Sequence, residues 1–183
     1  LLLSGVVVGS FFIALMSSVM VLSDSAATRN AFLWLLGGFG SSSWQSLAVF
    51  AVYAAIPLGL LLLNARGLDL LALGEEPAQH LGVDVDRTMR VVYVCTALLT
   101  AASVAACGII GFVGLVVPHA VRTVARPIHR TLLPLVFLAG GCFLVLCDVV
   151  SRVVVRPLEL PVGVVTALVG VPLFALLLRR TLA

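Results

Sequence analysis

The fold of this chain depends on residues 91–117, VVYVCTALLTAASVAACGIIGFVGLVV, a run of 27 positions without a charged side chain. A membrane-spanning helix needs about 20 predominantly apolar residues, so this run is long for a single helix. Gly108, Gly111 and Gly114 lie in its second half. The run is therefore either one tilted span, or a span that ends near Gly108 and is followed by a short crossing that includes Pro118 and His119.

The distribution of arginine decides between these alternatives. Basic residues are enriched on the cytoplasmic side of membrane proteins, and all eleven basic side chains here are arginine. A single span divides them five against six, which specifies no orientation, whereas the double crossing places eight on one side and three on the other. The eight are Arg66, Arg87, Arg90, Arg122, Arg126, Arg130, Arg179 and Arg180, and the three are Arg29, Arg152 and Arg156. We therefore predict the double crossing.

The remaining apolar runs predict an all-α fold, a polytopic transmembrane helix bundle with about six crossings. The other four spans are predicted at residues 1–22, 44–63, 131–150 and 161–178. The run 31–40 follows the polar turn SDSAATRN, ends in GGFG and is too short to span, so we expect a short re-entrant or interfacial helix. An even number of crossings places residues 1 and 183 on the same, arginine-rich and hence cytoplasmic side.

Composition excludes several classes of protein. Hydrophobic residues make up 62% of the 183 positions and charged residues 10%, compared with about 25% charged in soluble domains. The arginines form short clusters rather than the basic stripe of a nucleic-acid-binding protein, so no nucleic-acid partner is expected. The four cysteines lie in hydrophobic runs without the close pairing of metal or redox sites, and we expect no metal site.

One long polar stretch interrupts the apolar runs at residues 64–90. Leucines at positions 70, 71 and 73 precede the sequence GEEP, and Leu81 and Val83 follow it. This mixture of apolar and charged residues predicts one or two short amphipathic helices at the membrane surface.

No residue pattern supplies an energy source or a catalytic site. The chain has no lysine and therefore no Walker A motif, so energy must come from a partner or an ion gradient. Asp148 is the one carboxylate in a predicted span, and its position four residues before Arg152 favours a local ion pair over a proton relay. An intramembrane enzyme would need a nucleophile and base facing each other, for which Ser4, Ser103 and His119 are the available residues.

Six separated motifs resemble the permease subunits of bacterial ABC importers for iron-siderophores, haem and cobalamin, the FecCD/BtuC-like family. The motifs are LLLSGVVVGS, FLWLLGGFGSSSW, LDLLALGEEPAQHLGV, GIIGFVGLVVPHAVR, HRTLLPL and ELPVGVVTALVGVPLF. The resemblance covers essentially the whole chain. It implies that residues 1–183 form a single transmembrane permease domain, the C-terminal part of a longer subunit of about ten helices.

The resemblance also implies partners in a bacterial cell (inner) membrane. A second permease subunit, a cytoplasmic ABC ATPase and an extracytoplasmic substrate-binding protein are expected, with lipid around the helices. No cofactor is expected to bind this chain directly, because the partner hydrolyses ATP. The short cytoplasmic coupling helices that contact the ATPase are expected at Leu71, Leu73, Gly74, Glu75, Glu76, His80, Leu81 and Gly82.

Two further sets of residues take their roles from the same resemblance. Arg152, and less strongly Arg156, are expected to dock the binding protein. The translocation path is expected along the first span, the short GGFG helix and the last span, where small residues let a bulky substrate pass close to the backbone. These residues are Gly5, Gly9, Gly37, Gly38, Gly40 and Gly163.

The sequence thus predicts a permease subunit of an ABC importer that translocates a metal chelate into the cytoplasm, and not an enzyme. The alternative is a gradient-driven secondary transporter or channel, which would require buried charges that the spans scarcely contain.

Overall fold

The computed structural model describes residues 2–22, 25–40, 42–124, 128–154 and 160–182. Within these ranges the chain forms helices and no strand. The helices are α1 (Leu2–Leu22), α2 (Ser25–Leu35), α3 (Trp44–Leu63), α4 (Ala65–Leu71), α5 (Glu75–His80), α6 (Val85–Cys107), α7 (Val113–Val124), α8 (His129–Val153) and α9 (Val162–Leu182). The predicted all-α, polytopic helix bundle is confirmed.

Four of these helices, α1, α3, α6 and α8, are long and apolar enough to cross a membrane. At 1.5 Å rise per residue, the 25 residues of α8 extend about 37 Å, more than the hydrocarbon core of roughly 30 Å. Many of their large apolar side chains are exposed, including Phe11 of α1 and Tyr53 of α3. Contact of so many large apolar side chains with water is unfavourable, so a bilayer or another protein surface must cover them.

The uncharged run 91–117 divides into two helices. α6 ends at Cys107, residues 108–112 are not helical, and α7 begins at Val113. Gly108 has φ +71° and Phe112 has φ +66°, and both values are incompatible with a continuing right-handed helix. The predicted break near Gly108 is therefore confirmed. The 12 residues of α7 extend about 18 Å, roughly half of a bilayer core.

The short helix before the second span is displaced from its predicted position. Residues 31–40 were expected to be helical, with a polar turn before them, but α2 spans Ser25–Leu35 and residues 36–40 are not helical. Alanines at positions 26 and 27 favour helix within the polar sequence. The helix ends where Gly37 adopts φ +72°, a conformation that glycine adopts without strain.

The polar stretch forms two short helices, as predicted, but it is shorter than residues 64–90. The Asp84 carboxylate accepts a hydrogen bond from the Arg87 backbone N–H at 3.0 Å and so caps the N-terminus of α6. Residues 85–90 therefore form the first turns of α6. We use the name surface segment for residues 64–83, which contain α4 and α5.

The two ends of the bundle have different neighbours. At one end, α4 contacts α3, α6 and α8, and α5 contacts α6. At the other end, residues 36–40, the break at 108–112 and the first turn of α9 come together with the end of α8. A small core lies there, formed by Cys147, Val162 and Val165 with Phe39, Phe143 and Leu160 packed against it.

Candidate functional site

The surface segment has one buried face and one exposed face. Ala78 of α5 is fully buried and Ala65 of α4 is 1% exposed. The exposed side chains of the segment include Leu73, Glu75, Glu76, His80 and Leu81. Leu73 is 66% and Leu81 is 59% exposed. Large apolar side chains exposed among charged residues are typical of a surface that binds another protein.

Two glycines set the turns on either side of α5. Gly74 has φ +113° and Gly82 has φ +84°, a region that glycine adopts far more readily than other residues. The Gly82 N–H donates to the Gln79 carbonyl at 2.9 Å, and the Val83 N–H donates to the Ala78 carbonyl at 3.0 Å. These two bonds form a Schellman motif. Both glycines therefore shape the exposed face.

Among the predicted coupling residues, the structure places Leu71 and Gly74 in partly buried positions and the others in exposed ones. Leu71 is the last residue of α4 and is partly buried, whereas Leu73, Glu75 and Glu76 are exposed around the turn that follows. Glu75 and Glu76 lie in the first turn of α5, where negative charges suit the helix dipole, and His80 lies in the last turn.

The surface segment is joined to α8 through Asp69 of α4. The Asp69 Oδ1 atom accepts a hydrogen bond from the His129 backbone N–H at 2.7 Å, and it lies 2.7 Å from His129 Nδ1. The side chains are partly buried, with 30% of Asp69 and 20% of His129 exposed. His129 is the first residue of α8, so the carboxylate caps this helix from 60 positions earlier in the chain.

The charge on Asp69 follows from these contacts. Partial burial acts to raise the pKa of this carboxyl, but the hydrogen bonds from the His129 backbone and side chain and the charge of His129 together lower the pKa below its ordinary value of 3.8. The carboxyl is therefore ionised at neutral pH. Because an ionised carboxylate only accepts hydrogen bonds, His129 Nδ1 carries the proton in this contact.

At the opposite end of α8, Arg152 forms the predicted ion pair with Asp148. Arg152 Nε lies 2.9 Å from Asp148 Oδ2, and a terminal guanidinium nitrogen lies 3.1 Å from Oδ1. This two-point geometry holds the guanidinium in one orientation, with 44% of the Arg152 side chain exposed. The predicted local ion pair of Asp148 with Arg152 is therefore confirmed. Arg156 lies outside the described residues.

This end of α8 is also fixed to the start of α9. The buried Ser151 hydroxyl donates to the Asp148 carbonyl at 2.7 Å, and the Leu160 N–H donates to the Ser151 carbonyl at 3.2 Å. Cys147 packs against Val162 in the small core. The orientation of Arg152 is thus set by backbone and core contacts as well as by its own ion pair.

Three glycines bring non-helical backbone segments into direct contact near this end, and we call this feature the glycine junction (Gly37, Gly108 and Gly163). A Cβ atom on Gly37 would lie 2.5 Å from the Ile109 carbonyl oxygen, and one on Gly163 would lie 2.8 Å from the same oxygen and closer still to the Leu36 carbonyl. A Cβ on Gly108 would collide with the Trp34 carbonyl.

Hydrogen bonds accompany these close approaches. The Gly38 N–H donates to the Cys107 carbonyl at 2.8 Å, and the Gly163 N–H donates to the Gly37 carbonyl at 3.3 Å. Non-helical backbone within a membrane is stable only where the protein satisfies its polar groups. The junction meets this requirement for part of the backbone that lies outside the helices.

The six glycines expected along the path therefore occupy two kinds of position. Gly37 and Gly163 are packed against backbone, whereas a Cβ atom on Gly5, Gly9, Gly38 or Gly40 would meet no atom within 4 Å. Sequence reasoning missed the packing role of Gly108, whose only signal was its place at a helix end. It also missed Gly170, where a Cβ atom would lie 2.5 Å from Phe112 Cβ.

The described residues contain no group of side chains suited to a metal ion. In the described ranges no cluster of three or more histidine, cysteine or acidic side chains has the arrangement of a metal site. The four cysteines, at positions 95, 107, 142 and 147, are all in the free thiol form.

Comparison with known proteins gives a family match across almost the whole chain. Residues 1–180 match the family described as FecCD transport family. A solved structure described as an inward-facing conformation of a metal-chelate type ABC transporter superposes with a TM-score of 0.88 and 34% sequence identity. The superposition covers 96% of this chain and 57% of that chain.

Several relatives of assigned function share this similarity. The cobalamin import system permease protein BtuC of Halobacterium salinarum is 45% identical over 98% of this chain and 48% of its own length. The hemin transport system permease protein HmuU of Yersinia pestis is 40% identical over 98% and 54%. The Fe(3+) dicitrate transport system permease protein FecD of Escherichia coli is 41% identical over 98% and 56%. The chain thus spans about half the length of these relatives.

Proposed function

The chain belongs to the FecCD transport family, and from this premise we propose that it forms part of the permease subunit of an ABC importer that carries a metal chelate across the cell membrane into the cytoplasm. The observation that carries the proposal is the pairing of an apolar helix bundle with an exposed, partly apolar surface segment at one end. Such a segment suits a bundle that receives its energy from another protein.

The proposed substrate class is a metal chelate. Three relatives are named for the transport of cobalamin, hemin and ferric dicitrate, which share a metal ion held in an organic ligand. This common chemistry supports metal chelates as the substrate class, but it does not favour one of the three compounds over the others. Uptake measurements with the three compounds therefore belong to the test.

The proposed energy source is a cytoplasmic ATPase that binds the surface segment. Leu73 and Leu81 supply exposed apolar area, and Glu75 and Glu76 supply charge between them. Contact there would bury two leucines that are otherwise in water, which favours binding by about 1.5–3 kcal/mol for each fully buried side chain. ATP would bind to that partner and not to this chain, which has no lysine for a Walker A motif.

The proposed orientation follows the arginine distribution. The surface segment and residues 1 and 183 lie on the cytoplasmic side, and Arg152 lies on the extracytoplasmic side together with Arg156. There Arg152 presents a fixed guanidinium to acidic side chains of a substrate-binding protein. A second permease subunit, identical or different, and membrane lipid cover the exposed apolar side chains of the bundle.

The proposed path uses the two kinds of glycine differently. Gly5, Gly9, Gly38 and Gly40 leave open space beside the backbone, which suits the passage of a bulky chelate. Gly37 and Gly163 contribute by holding residues 36–40 against the first turn of α9. They therefore shape one wall of the path.

Transport by the full-length permease tests the proposal. We would reconstitute it with its ATPase in proteoliposomes, supply binding protein loaded with cobalamin, hemin or ferric dicitrate, and measure uptake with ATP or with a proton gradient alone. We expect uptake of at least one compound that requires ATP and ceases with a hydrolysis-deficient ATPase. Uptake that persists without ATP when a proton gradient is present would instead support a secondary transporter.

A further inference from the structure

The first turn of α8 depends on a side chain from another part of the chain. Its N-cap residue is Ile128, whose apolar side chain makes no capping hydrogen bond. The first N–H groups of a helix lack intrahelical partners, and a capping side chain or a negative charge stabilises them. Asp69 of the surface segment provides the cap and the negative charge together. Its carboxylate is ionised, and it accepts a hydrogen bond from the His129 backbone N–H.

Asp69 holds α8 at two points. One oxygen, Oδ1, receives the backbone N–H and also contacts the imidazole Nδ1, each at 2.7 Å. Across the described residues, this is the one polar side-chain contact between the surface segment and α8. A movement of α4 relative to α8 must therefore either carry the first turn of α8 with it or break both bonds.

The rest of α4 is also packed against the neighbouring helices. Ala65 is buried, and a Cβ atom on Gly67 would lie 3.2 Å from Thr88 Cγ2 in the first turn of α6. In α8 itself, the buried Leu132 lies one turn beyond His129. Close packing transmits displacement because protein interiors have low compressibility.

α8 leads from this contact to the opposite end of the bundle. Its helix of 25 residues ends one residue after Arg152, and the Cys147 and Ser151 contacts attach that end to α9. A displacement at His129 that moved α8 as a rigid body would reach the helix end about 37 Å away, which carries the Asp148–Arg152 pair.

We propose that Asp69 and His129 form the joint through which the surface segment moves α8, so that ATP-driven movement at α5 reaches the end of the bundle where Arg152 lies. This inference rests on the proposed function, in which α5 contacts the ATPase. Asp69 and His129 are positioning residues, since neither is required to touch ATP or the transported compound.

The test compares two carboxylates that both cap a helix. Asp69→Ala removes the joint, whereas Asp84→Ala removes the local cap of α6, where Asp84 receives the Arg87 N–H. Each full-length variant is reconstituted with ATPase and loaded binding protein, and uptake is measured per ATP hydrolysed with the compound that the wild type transports. Asp69→Ala should lower this ratio about tenfold, within the usual range for coupling between two sites, while Asp84→Ala should stay near the wild-type ratio.

Two milder variants separate coupling from folding. Asp69→Asn keeps the acceptor oxygen but removes the negative charge, and His129→Ala keeps the backbone N–H for Asp69 but removes the imidazole contact, so each weakens the joint without abolishing it. Both should give ratios between those of the wild type and Asp69→Ala. Loss of folded protein alone would lower uptake and ATP hydrolysis together and leave the ratio unchanged.

A second readout does not depend on transport. Spin labels at Arg66→Cys in α4 and Val149→Cys in α8, with the native cysteines replaced, report the distance between the two helices in the full-length permease. We expect the same narrow distribution for the wild type and Asp84→Ala and a broader one for Asp69→Ala.

The two readouts distinguish the possible failures. A wild-type permease without ATP-dependent uptake would contradict the proposed function, while the distance distribution would still show whether Asp69 fixes α4 to α8. An unchanged distribution in Asp69→Ala would overturn the joint. Equal ratios in Asp69→Ala and Asp84→Ala, with ATP-dependent uptake intact, would also overturn it.

Discussion

The surface segment and the glycine junction lie at opposite ends of the bundle and are held in place by different parts of the chain. The surface segment is attached by side chains, through the buried Ala78 and the Asp69–His129 contact. The glycine junction is attached by backbone, because Gly108 and Gly163 bring carbonyl groups closer than any side chain would allow. The first kind of attachment can be altered one side chain at a time, and the second tolerates no added atom.

This difference matters for a protein that must change shape. A joint made of two hydrogen bonds to one carboxylate allows small rotations, whereas backbone segments in direct contact act as a rigid support. The surface segment is therefore suited to rotate at its joint, and the junction is suited to move only as one rigid unit with the helix ends that it connects.

Gly163→Ala should have the largest effect on folding. Its Cβ atom would meet two backbone carbonyl groups, of Leu36 and Ile109, and backbone cannot rotate away as a side chain can. Overpacking of this kind costs about 3 kcal/mol or more when the structure cannot relax. Thermal unfolding and size-exclusion chromatography of the full-length permease measure the loss.

Gly140→Ala in α8 is the matched control, because a Cβ atom there meets no atom within 4 Å. An alanine in a helix is favoured over glycine by up to about 1 kcal/mol, so this variant should be as stable as the wild type or slightly more so. Equal stability of the Gly163 and Gly140 variants would show that the junction is not rigid.

Gly108→Ala and Gly82→Ala compare the two regions at glycines that both have a positive φ, +71° at Gly108 and +84° at Gly82. At Gly82 nothing lies within 4 Å, so alanine should cost only the strain of the left-handed conformation, about 1–2 kcal/mol. At Gly108 the collision with the Trp34 carbonyl adds to that strain. Unfolding midpoints should rank Gly108→Ala below Gly82→Ala, and the reverse order would contradict the comparison.

Arg152→Glu should leave folding almost unchanged but weaken docking of the binding protein. The Asp148–Arg152 pair is partly exposed, and such pairs contribute about 0–1 kcal/mol to stability. Reversing the charge at an interface costs more, so we expect about a tenfold loss of affinity in a pull-down with the reconstituted transporter. Arg90→Glu, near the opposite end, is the control. Unchanged affinity of the Arg152 variant would refute the docking role.

Gly5→Ala and Gly9→Ala should have the smallest effect on stability. Both positions have open space around them in α1, so the change should lie within about 0.5 kcal/mol of zero. If these glycines line the path, uptake of the largest substrate should fall while ATP hydrolysis continues. Unaltered uptake of every substrate would remove Gly5 and Gly9 from the proposed path.

Local features of the fold could be predicted well from the sequence. The bounds 44–63 of the second span agree with α3, and the break near Gly108 was indicated by the length of the apolar run and the arginine distribution. The Asp148–Arg152 pair was predictable because the two residues lie four positions apart on one helix. Each of these features depends on residues that are close in sequence.

Features that join distant segments could not be predicted in the same way. Asp69 and His129 are 60 positions apart, and nothing in either motif identifies its partner. The glycines pose a related difficulty, since Gly37 and Gly38 are adjacent in sequence yet only Gly37 is packed against backbone. Whether a glycine makes room for a substrate or for another part of the chain depends on the tertiary structure.

The central claim is that energy enters this membrane protein through the surface segment, and the double variant Glu75→Ala/Glu76→Ala tests it most directly. Both side chains are exposed, so the full-length permease should fold normally. ATPase copurification and ATP-driven uptake should both fall strongly, while the unfolding temperature should be unchanged. ATPase association and uptake equal to those of the wild type would show that energy does not enter through the surface segment.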